Sequence, residues 1–239
     1  MFKKKPLAVV GETLSDNCIN SLERLGFEVL LLPPYFRLGG AVSSHADMLM
    51  RPIDGRIFAF SEYAEKTSVF QVLEERGHTP FYTDELPFEK YPKDILLNCL
   101  VVGKRIFAKR AYLSKALAEY VTENGYELTD INQGYARCTA CPISDNAIIT
   151  ADPSVKKAAL SVGIDVLSIS TGHVTLSGYD YGFIGGSCGI FNNNVYFAGN
   201  LLSHPNGKEI FDFCKDHGMA AISLSDEPLS DVGSIFFFT

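Results

Sequence analysis

The sequence ends with DVGSIFFFT (residues 231–239), and this stretch decides the fold. Its run of Ile235 and three phenylalanines is typical of a buried β-strand. An apolar strand with an uncovered edge promotes aggregation, so this strand needs a neighbour from elsewhere in the chain. We predict that the neighbour is PLAVVGE (residues 6–12), which places the two termini side by side.

A repeated pattern leads to that prediction. Five times, an amphipathic helix stops at a glycine and a short apolar strand starts at once, as in SLERLGFEVLLL (residues 21–32). A glycine at this place is typical of a left-handed helix C-cap. The five glycines recur at intervals of roughly 40 to 55 residues, and the interval across the joined termini falls in the same range. They are Gly26, Gly77, Gly125, Gly163 and Gly218.

Between these segments lies a second pattern, a pair of strands joined by a tight turn. The four turns contain Asp54-Gly55, Gly103-Lys104, Asp145-Asn146 and residues 192–194. Such residues tolerate positive φ and favour hairpins. The repeating unit is therefore strand, hairpin, strand, helix, strand. The fifth unit is interrupted at its hairpin: residues 231–239 supply its first strand and residues 6–12 its second. A helix predicted from about Leu14 to Leu25 follows. Pairing of the two terminal strands would complete this unit, so the sequence predicts a closed ring.

A doubly wound α/β sheet is the alternative, because helices that end at glycine and lead into strands are common there too. That fold adds one strand per helix, whereas here a hairpin accompanies each helix. No G-x-G-x-x-G or P-loop motif follows any strand. The pattern favours the ring.

Composition and charge narrow the possible partners. The 239 residues are 46% apolar, enough for a full core, and the formal charge of -7 argues against a nucleic-acid backbone as the main partner. No apolar stretch is long enough for a membrane span or a signal peptide, so we expect a cytoplasmic protein that binds neither nucleic acid nor membranes. The oligomeric state is left open.

The cysteines do not suggest a metal site or a cofactor. All six are scattered over a mid-sized chain, which favours reduced thiols in apolar surroundings. Cys138 and Cys141 form a C-x-x-C pair, but no second such pair and no His-x-x-x-His accompanies it. We expect no metal and no cofactor.

The order of the units resembles that of the pentein superfamily of guanidine-modifying enzymes, an α/β propeller of five ββαβ units around a pseudo-fivefold axis. Three segments resemble a branch of it without an assigned activity: residues 133–152, 185–207 and 228–238. The resemblance covers essentially the whole chain and implies one domain over residues 1–239. It also implies a ligand at the axis, held by acidic side chains that grip a guanidinium, with a His and a Cys acting on its central carbon.

Counting back from each hairpin, on the assumption of strand alternation, divides the preceding residues between two faces. An apolar face carries Met50, Cys99, Cys141 and Cys188, and we interpret these cysteines as structural. The opposite face is small and polar and suits a central pocket. It carries His45, Asp47, Asn98, Cys138, Gly185 and Ser187, and by the same parity Asp94, Asp231 and Ser234 lead into it.

His173 is the other candidate, because TGHVTLSGYD (residues 171–180) resembles the segment that carries the catalytic His of the superfamily. The place of its Asp is taken by Thr175, with Asp180 further along. The superfamily also carries its nucleophilic Cys in the first strand of the last unit, where this chain has no Cys. Cys138 is the replacement nucleophile that the sequence offers.

Three functions remain open from the sequence. In the leading hypothesis the chain binds a small cationic or amino-acid-like ligand, without the usual covalent chemistry, through His45, Asp47, Asp94, Ser187, Asp231 and Ser234. In the enzymatic alternative, a hydrolase or transferase, Cys138 is the nucleophile and His173 the acid and base. In the third, the ring is a non-enzymatic disc that binds proteins or ribosomes. The sequence also leaves open whether residues 33–47 act as a lid.

Overall fold

The computed structural model describes residues 4–239, so the first three residues of the predicted domain lie outside it. Within that range, fifteen strands form five separate three-stranded sheets. The strands are β1 (Leu7–Gly11), β2 (Glu28–Leu32), β3 (Met50–Ile53), β4 (Arg56–Phe60), β5 (Thr79–Thr83), β6 (Leu100–Val102), β7 (Arg105–Ala108), β8 (Glu127–Asp130), β9 (Ala140–Ser144), β10 (Ala147–Thr150), β11 (Asp165–Ser168), β12 (Cys188–Phe191), β13 (Asn194–Phe197), β14 (Ala220–Ser223) and β15 (Phe236–Phe238).

The sheets all have the same topology. Their strand orders are β15-β1-β2, β3-β4-β5, β6-β7-β8, β9-β10-β11 and β12-β13-β14. In each sheet the central strand pairs antiparallel with the first strand and parallel with the last. A parallel pair needs a crossover connection, and a helix supplies it in every unit.

The helices in chain order are α1 (Asp16–Arg24), α2 (Ala46–Leu49), α3 (Ser61–Ala64), α4 (Val69–Glu75), α5 (Lys115–Glu123), α6 (Ala136–Thr139), α7 (Pro153–Ser161) and α8 (Gly207–Asp216). The crossover helices are α1, α4, α5, α7 and α8. Short 3₁₀ turns lie at Gly40–Val42, Arg110–Tyr112 and Leu201–Ser203. Helix α7 shows why the local sequence folds this way: its N-cap, Asp152, accepts hydrogen bonds from two backbone N–H groups, and Pro153 occupies the first helical position.

The predicted pairing of the termini is confirmed. Strand β15 lies antiparallel to β1, with Leu7 opposite Phe238 and Val9 opposite Phe236. Strand β1 is fully buried, and β2 covers its other edge. The terminal strands therefore complete a fifth sheet like the other four.

The glycine C-caps are also confirmed, because all five glycines have φ between 71° and 96°. The hairpin turns agree in three of four cases, where Asp54, Gly103 and Asn192 have positive φ. The turn at Asp145-Asn146 differs, because neither residue has positive φ and the pairing register shifts just after it, between Ala147 and Ile148. A β-bulge supplies there the twist that positive φ supplies elsewhere.

The first strands of the sheets face the middle of the molecule. Strand β6 contacts β9, β9 contacts β12, and β12 contacts β15. The connection formed by residues 33–45 is anchored in the core by Tyr35 and Leu38, which are almost completely buried. These contacts bring the segments that precede the first strands together at one place.

One local prediction was wrong. The residues before β3 and β9 were expected to extend those strands, but they form the single-turn helices α2 and α6. The residues before β6 and β12 form turns. Side chains in a helical turn do not alternate between two faces, so the parity argument does not describe how His45, Asp47 and Cys138 are oriented.

Candidate functional site

The segments that precede four of the five first strands meet around a cavity of about 310 Å³, which we call the central cavity. His45 comes from the segment before β3, and Cys138 from the segment before β9. Residues 176–183, before β12, supply one wall, and Asp231 comes from the segment before β15. The repeated architecture thus gathers residues that are far apart in sequence.

Beneath the cavity, Asp47 accepts hydrogen bonds from two side chains through one carboxylate oxygen. The Ser234 hydroxyl donates to Asp47 Oδ2 at 2.6 Å, and the Cys138 thiol donates to the same atom at 3.3 Å. Asp47 is completely buried, and its other oxygen has no hydrogen-bond partner among the described residues. The carboxylate therefore connects the first and third units to the last.

Asn98 holds the Cys138 side of this cluster in place. Its Nδ2 lies 3.0 Å from Cys138 Sγ and 3.3 Å from the backbone oxygen of Asp47, and its Oδ1 accepts the Arg137 backbone N–H at 2.8 Å. Donor and acceptor ends of the amide are both used, which fixes its orientation. Asn98 therefore positions the thiol.

On the floor of the cavity, Asp231 faces His45. Asp231 Oδ2 accepts the Phe183 backbone N–H at 2.9 Å, and Oδ1 accepts that of Gly233 at 3.1 Å. His45 Nδ1 lies 3.8 Å from Asp231 Oδ1, which is close enough for charge interaction and too long for a hydrogen bond. Both ring nitrogens of His45 are buried without a partner among the described residues.

Burial is the largest influence on the pKa values of Asp231 and Cys138. Removal from water raises the pKa of Asp231, while His45 opposes that rise. Burial also raises the pKa of the Cys138 thiol well above its usual value, and the charges of Asp47 and Asp231 add to the effect. Cys138 is consequently a thiol at neutral pH, which is the less nucleophilic form.

Glycines allow the backbone to close around these side chains. A Cβ at Gly233 would lie 2.2 Å from the Cβ of His45, and one at Gly186 would lie 1.9 Å from Asp231 Oδ1. Gly233 also has φ of 73°, which L side chains rarely adopt. Gly186 in GGSCG and Gly233 in DVGS are therefore required by the packing of Asp231 and His45.

A second cavity of about 210 Å³ lies beside the central one and shares Tyr181 and Phe183 with it. Its lining includes His173 and His204, whose rings meet edge to face with centroids 5.3 Å apart. The His204 Nδ1 accepts the Asn206 backbone N–H at 3.0 Å, and burial lowers the His204 pKa. His204 is therefore neutral at neutral pH, with its proton on Nε2.

Two kinds of feature are missing from the described range. Among residues 4–239, no group of three or more His, Cys, Asp or Glu side chains has an arrangement that could hold a metal ion. The helices of that same range are all too short or too polar to cross a bilayer.

Comparison with known proteins identifies the family and the fold. A sequence model of a family described as "Family of unknown function (DUF6873)" matches residues 9–236. The chain belongs to this family. No curated protein matches it.

Solved structures share the fold of this DUF6873 protein at low sequence identity. SxtG, an amidinotransferase from Microseira wollei, has a TM-score of 0.58 and 12% identity, with 95% of this chain and 94% of that chain covered. A DDAH from Pseudomonas aeruginosa complexed with citrulline has a TM-score of 0.54 and 12% identity, covering 94% and 93%. The agmatine deiminase of C. jejuni has a TM-score of 0.54 and 11% identity, covering 94% and 88%. The predicted pentein fold is confirmed.

The residues singled out from the sequence divide into three groups in the DUF6873 chain. His45, Cys138 and Asp231 line the central cavity, and Asp47 and Ser234 lie directly beneath it. Asp94 does not line the central cavity but contacts a residue that does: it accepts a hydrogen bond from the Tyr135 hydroxyl at 2.5 Å. Ser187 and His173 are elsewhere: the Ser187 hydroxyl donates to the Ile184 backbone oxygen, and His173 is exposed in the second cavity.

Two other features of the site were not predicted from the sequence. Arg137 is buried and donates to the backbone oxygens of Ala140, Gly185 and Cys188, which ties α6 to the residues before β12. The aromatic walls of the central cavity come from Tyr135 and from residues 176–183, which have no strand or helix pattern. A charged residue inside the small and apolar run YARCTAC is the one signal that could have identified Arg137 as buried and hydrogen-bonded.

Proposed function

We propose that this chain binds a small cation of the guanidino or amino-acid type in the central cavity. The observation that carries the proposal is the floor of that cavity, where the buried carboxylate of Asp231 faces a His45 ring without hydrogen-bond partners. A buried charge without a full counter-charge destabilises a protein, and such groups concentrate at functional sites. A bound cation would supply the missing charge.

The structural neighbours support a small guanidino or amino-acid-like ligand by analogy, without deciding its charge. The DDAH structure contains citrulline, and a C. jejuni agmatine deiminase has been solved with its substrate bound. A shared fold does not transfer a reaction, so this support extends only to the kind of molecule. The geometry of Asp231 and His45 is the stronger argument.

The usual covalent chemistry is lost or altered in this proposal. The last unit offers Val232, Gly233 and Ser234 where a nucleophilic Cys would stand. Ser234 donates to Asp47 beneath the cavity and does not line it. Its hydroxyl thus orients the Asp47 carboxylate instead of meeting the ligand.

Catalysis by Cys138 is the second candidate, because its thiol lines the same cavity as His45 and Asp231. The raised pKa of the Cys138 thiol weighs against this candidate, since attack on a guanidinium carbon requires the thiolate. In this candidate His45 takes the acid and base role first assigned to His173, because His173 lines the other cavity.

Thermal shift with arginine and citrulline tests the proposal. The two molecules have similar shapes and differ in the charge of the terminal group. Arginine and agmatine are expected to raise the melting temperature by about 5 to 10 °C at a concentration about 100 times the dissociation constant, and citrulline by much less. Equal shifts with both amino acids would overturn the cationic assignment, and no shift with any of them would overturn binding.

Two variants test whether stabilisation by arginine depends on the charge of Asp231. Asp231→Asn removes the charge on the cavity floor, and Asp226→Asn makes the same change at an exposed position outside the central cavity. Arginine should stabilise Asp226→Asn as it does the unmodified protein and lose most of its effect on Asp231→Asn. Circular dichroism establishes beforehand that both variants are folded.

A further inference from the structure

The walls of the central cavity are aromatic. Tyr135, Tyr179, Tyr181 and Phe183 all line it. The rings of Tyr181 and Phe183 are almost perpendicular, at 85° with centroids 6.2 Å apart, and those of Tyr135 and Phe183 are inclined by 31° at 6.5 Å. The cavity therefore contains a corner between two aromatic walls, above the Asp231 carboxylate.

Hydrogen-bond acceptors are scarce in the same space. A guanidinium has five N–H donors, all of which need partners when buried. Both oxygens of Asp231 already accept a backbone N–H, and the Tyr135 hydroxyl is engaged with Asp94. Among buried lining residues, the oxygen and nitrogen side-chain acceptors that remain are the second lone pairs of Asp231 and one nitrogen of His45. The hydroxyls of Tyr179 and Tyr181 and the carboxylate of Asp180 belong to exposed residues.

A cation without N–H donors avoids this shortage. When nitrogen carries methyl groups, its charge is spread over carbon-bound hydrogens that pack against aromatic faces, and the attraction comes from the ring quadrupole. An ion with few or no N–H groups also leaves no buried donor unsatisfied. The volume of about 310 Å³ is at the small end for ligand sites, which limits the occupant to a small molecule.

We propose that the central cavity selects an alkylated ammonium ion, with a quaternary ammonium group as the best fit. Tyr181 and Phe183 determine this specificity by contact with the alkyl groups, and Asp231 balances the charge. The inference rests on the proposed function and narrows it: guanidino cations also bind at Asp231, and the aromatic corner makes an alkylated nitrogen bind more tightly.

Choline and ethanolamine test it, because the two molecules share a skeleton and differ in three N-methyl groups. Calorimetric titration of the full chain with their chloride salts, at equal ionic strength, is expected to show choline binding about tenfold tighter. Guanidinium chloride at low millimolar concentration serves as a third probe, and it should bind more weakly than choline.

Three variants at exposed aromatic residues test whether the preference for choline over ethanolamine comes from the Tyr181 ring. Tyr181→Leu should weaken choline binding several-fold and leave ethanolamine within about twofold, because a Leu has no quadrupole. Tyr181→Phe keeps the ring and should keep the preference. Tyr82→Leu removes an aromatic ring of similar exposure that lines neither cavity, and it should change nothing.

The outcomes separate this inference from the proposed function. Ethanolamine or guanidinium binding as tightly as choline would overturn the alkylated-cation inference and leave the cation site standing. A choline preference that survives Tyr181→Leu and a matching Phe183→Leu would also overturn it, because the aromatic corner would then not be its source. Failure of every cation to bind would overturn the proposed function, and the inference with it.

Discussion

Phe237 closes the ring, and replacing it with alanine should destabilise the whole protein. Its side chain is partly buried on β15 and contacts Phe27 and Tyr196 with ring centroids 4.8 and 5.1 Å apart. A third ring, Phe191 in β12, lies 5.7 Å away. Phe237 therefore joins the terminal sheet to the sheet that contains β12 and β13.

The expected magnitude follows from these contacts. Burying a Phe side chain completely contributes about 1.5 to 3 kcal/mol, so the partly buried Phe237 contributes roughly two thirds of that or more. Each aromatic pair adds about 0.5 to 1.5 kcal/mol, and the three pairs are not fully additive. We expect Phe237→Ala to lower the free energy of unfolding by about 3 kcal/mol. With a urea m-value of about 3 kcal/mol/M for a chain of this size, the unfolding midpoint falls by about 1 M.

Urea unfolding followed by circular dichroism measures the effect, with Phe211→Ala as the control. Phe211 lies on α8 and is 47% exposed, so its replacement should change stability by less than 1 kcal/mol. Amide hydrogen exchange should show that the backbone of β1 becomes less protected in Phe237→Ala before that of β10 does. A loss below 1 kcal/mol, or equal effects of the two replacements, would refute ring closure as a source of stability.

The remaining predictions concern the hairpins and the site. A circular permutant that joins β15 to β1 through Asn-Gly and is opened in the turn between β6 and β7 should fold with a melting temperature within a few degrees of the parent, measured by calorimetry. Gly233→Ala should destabilise the fold by more than 2 kcal/mol in urea unfolding, since its Cβ would meet His45 at positive φ. Iodoacetamide should label Cys138 more slowly than a free cysteine at pH 7, and faster in Asp47→Asn, because a charge that raises the thiol pKa is removed. Arginine affinity should fall as the pH is lowered, beginning above the 3.8 of an ordinary aspartate, because protonation through the raised pKa of Asp231 removes the charge that binds the cation.

The fold could be predicted because its signals are local and repeated. A glycine after each helix and a tight turn between paired strands follow from backbone sterics, which short sequences display directly. Once Gly26, Gly77 and their three counterparts were seen to recur, the pairing of β15 with β1 was the one way to complete the fifth unit. Ring closure depends on the whole chain, yet it could be predicted here from the number and spacing of the repeated units.

The site could be predicted only in part, because its geometry depends on how short irregular segments pack. His45, Asp47 and Cys138 were expected at the centre from strand alternation, and they lie there, although helical turns orient them. The reason is that any residue immediately before a first strand must be near the middle of the ring. The direction of its side chain is determined by tertiary contacts, such as those of the Asn98 amide. The periodicity of the sequence contains no information about such contacts.

His173 shows the opposite case, in which a motif suggested a role and packing placed it elsewhere. The segment that follows it, residues 176–183, runs between the two cavities and supplies Tyr181 and Phe183 to both. The loop has neither helical nor strand periodicity, and its course is fixed by Asp231, which accepts the Phe183 backbone N–H. A contact between residues far apart in the chain cannot be read from either segment alone.

If the proposed cation binds at this site, the same electrostatics couple its binding to the chemistry of the Cys138 thiol. Burial and, after it, the carboxylates of Asp47 and Asp231 raise the pKa of Cys138, and burial also raises the pKa of Asp231. A cation placed on Asp231 would favour the ionised form of both groups, since it opposes the negative charge that disfavours them. Linkage then requires that a ligand which lowers the thiol pKa also binds more tightly as the pH rises through that pKa. Iodoacetamide labelling of Cys138 with and without bound cation therefore distinguishes the two candidate functions. Faster labelling with the ligand would mean that ligand binding promotes formation of the Cys138 thiolate, as catalysis requires. Slower labelling would mean that the ligand only occupies the cavity and shields the thiol.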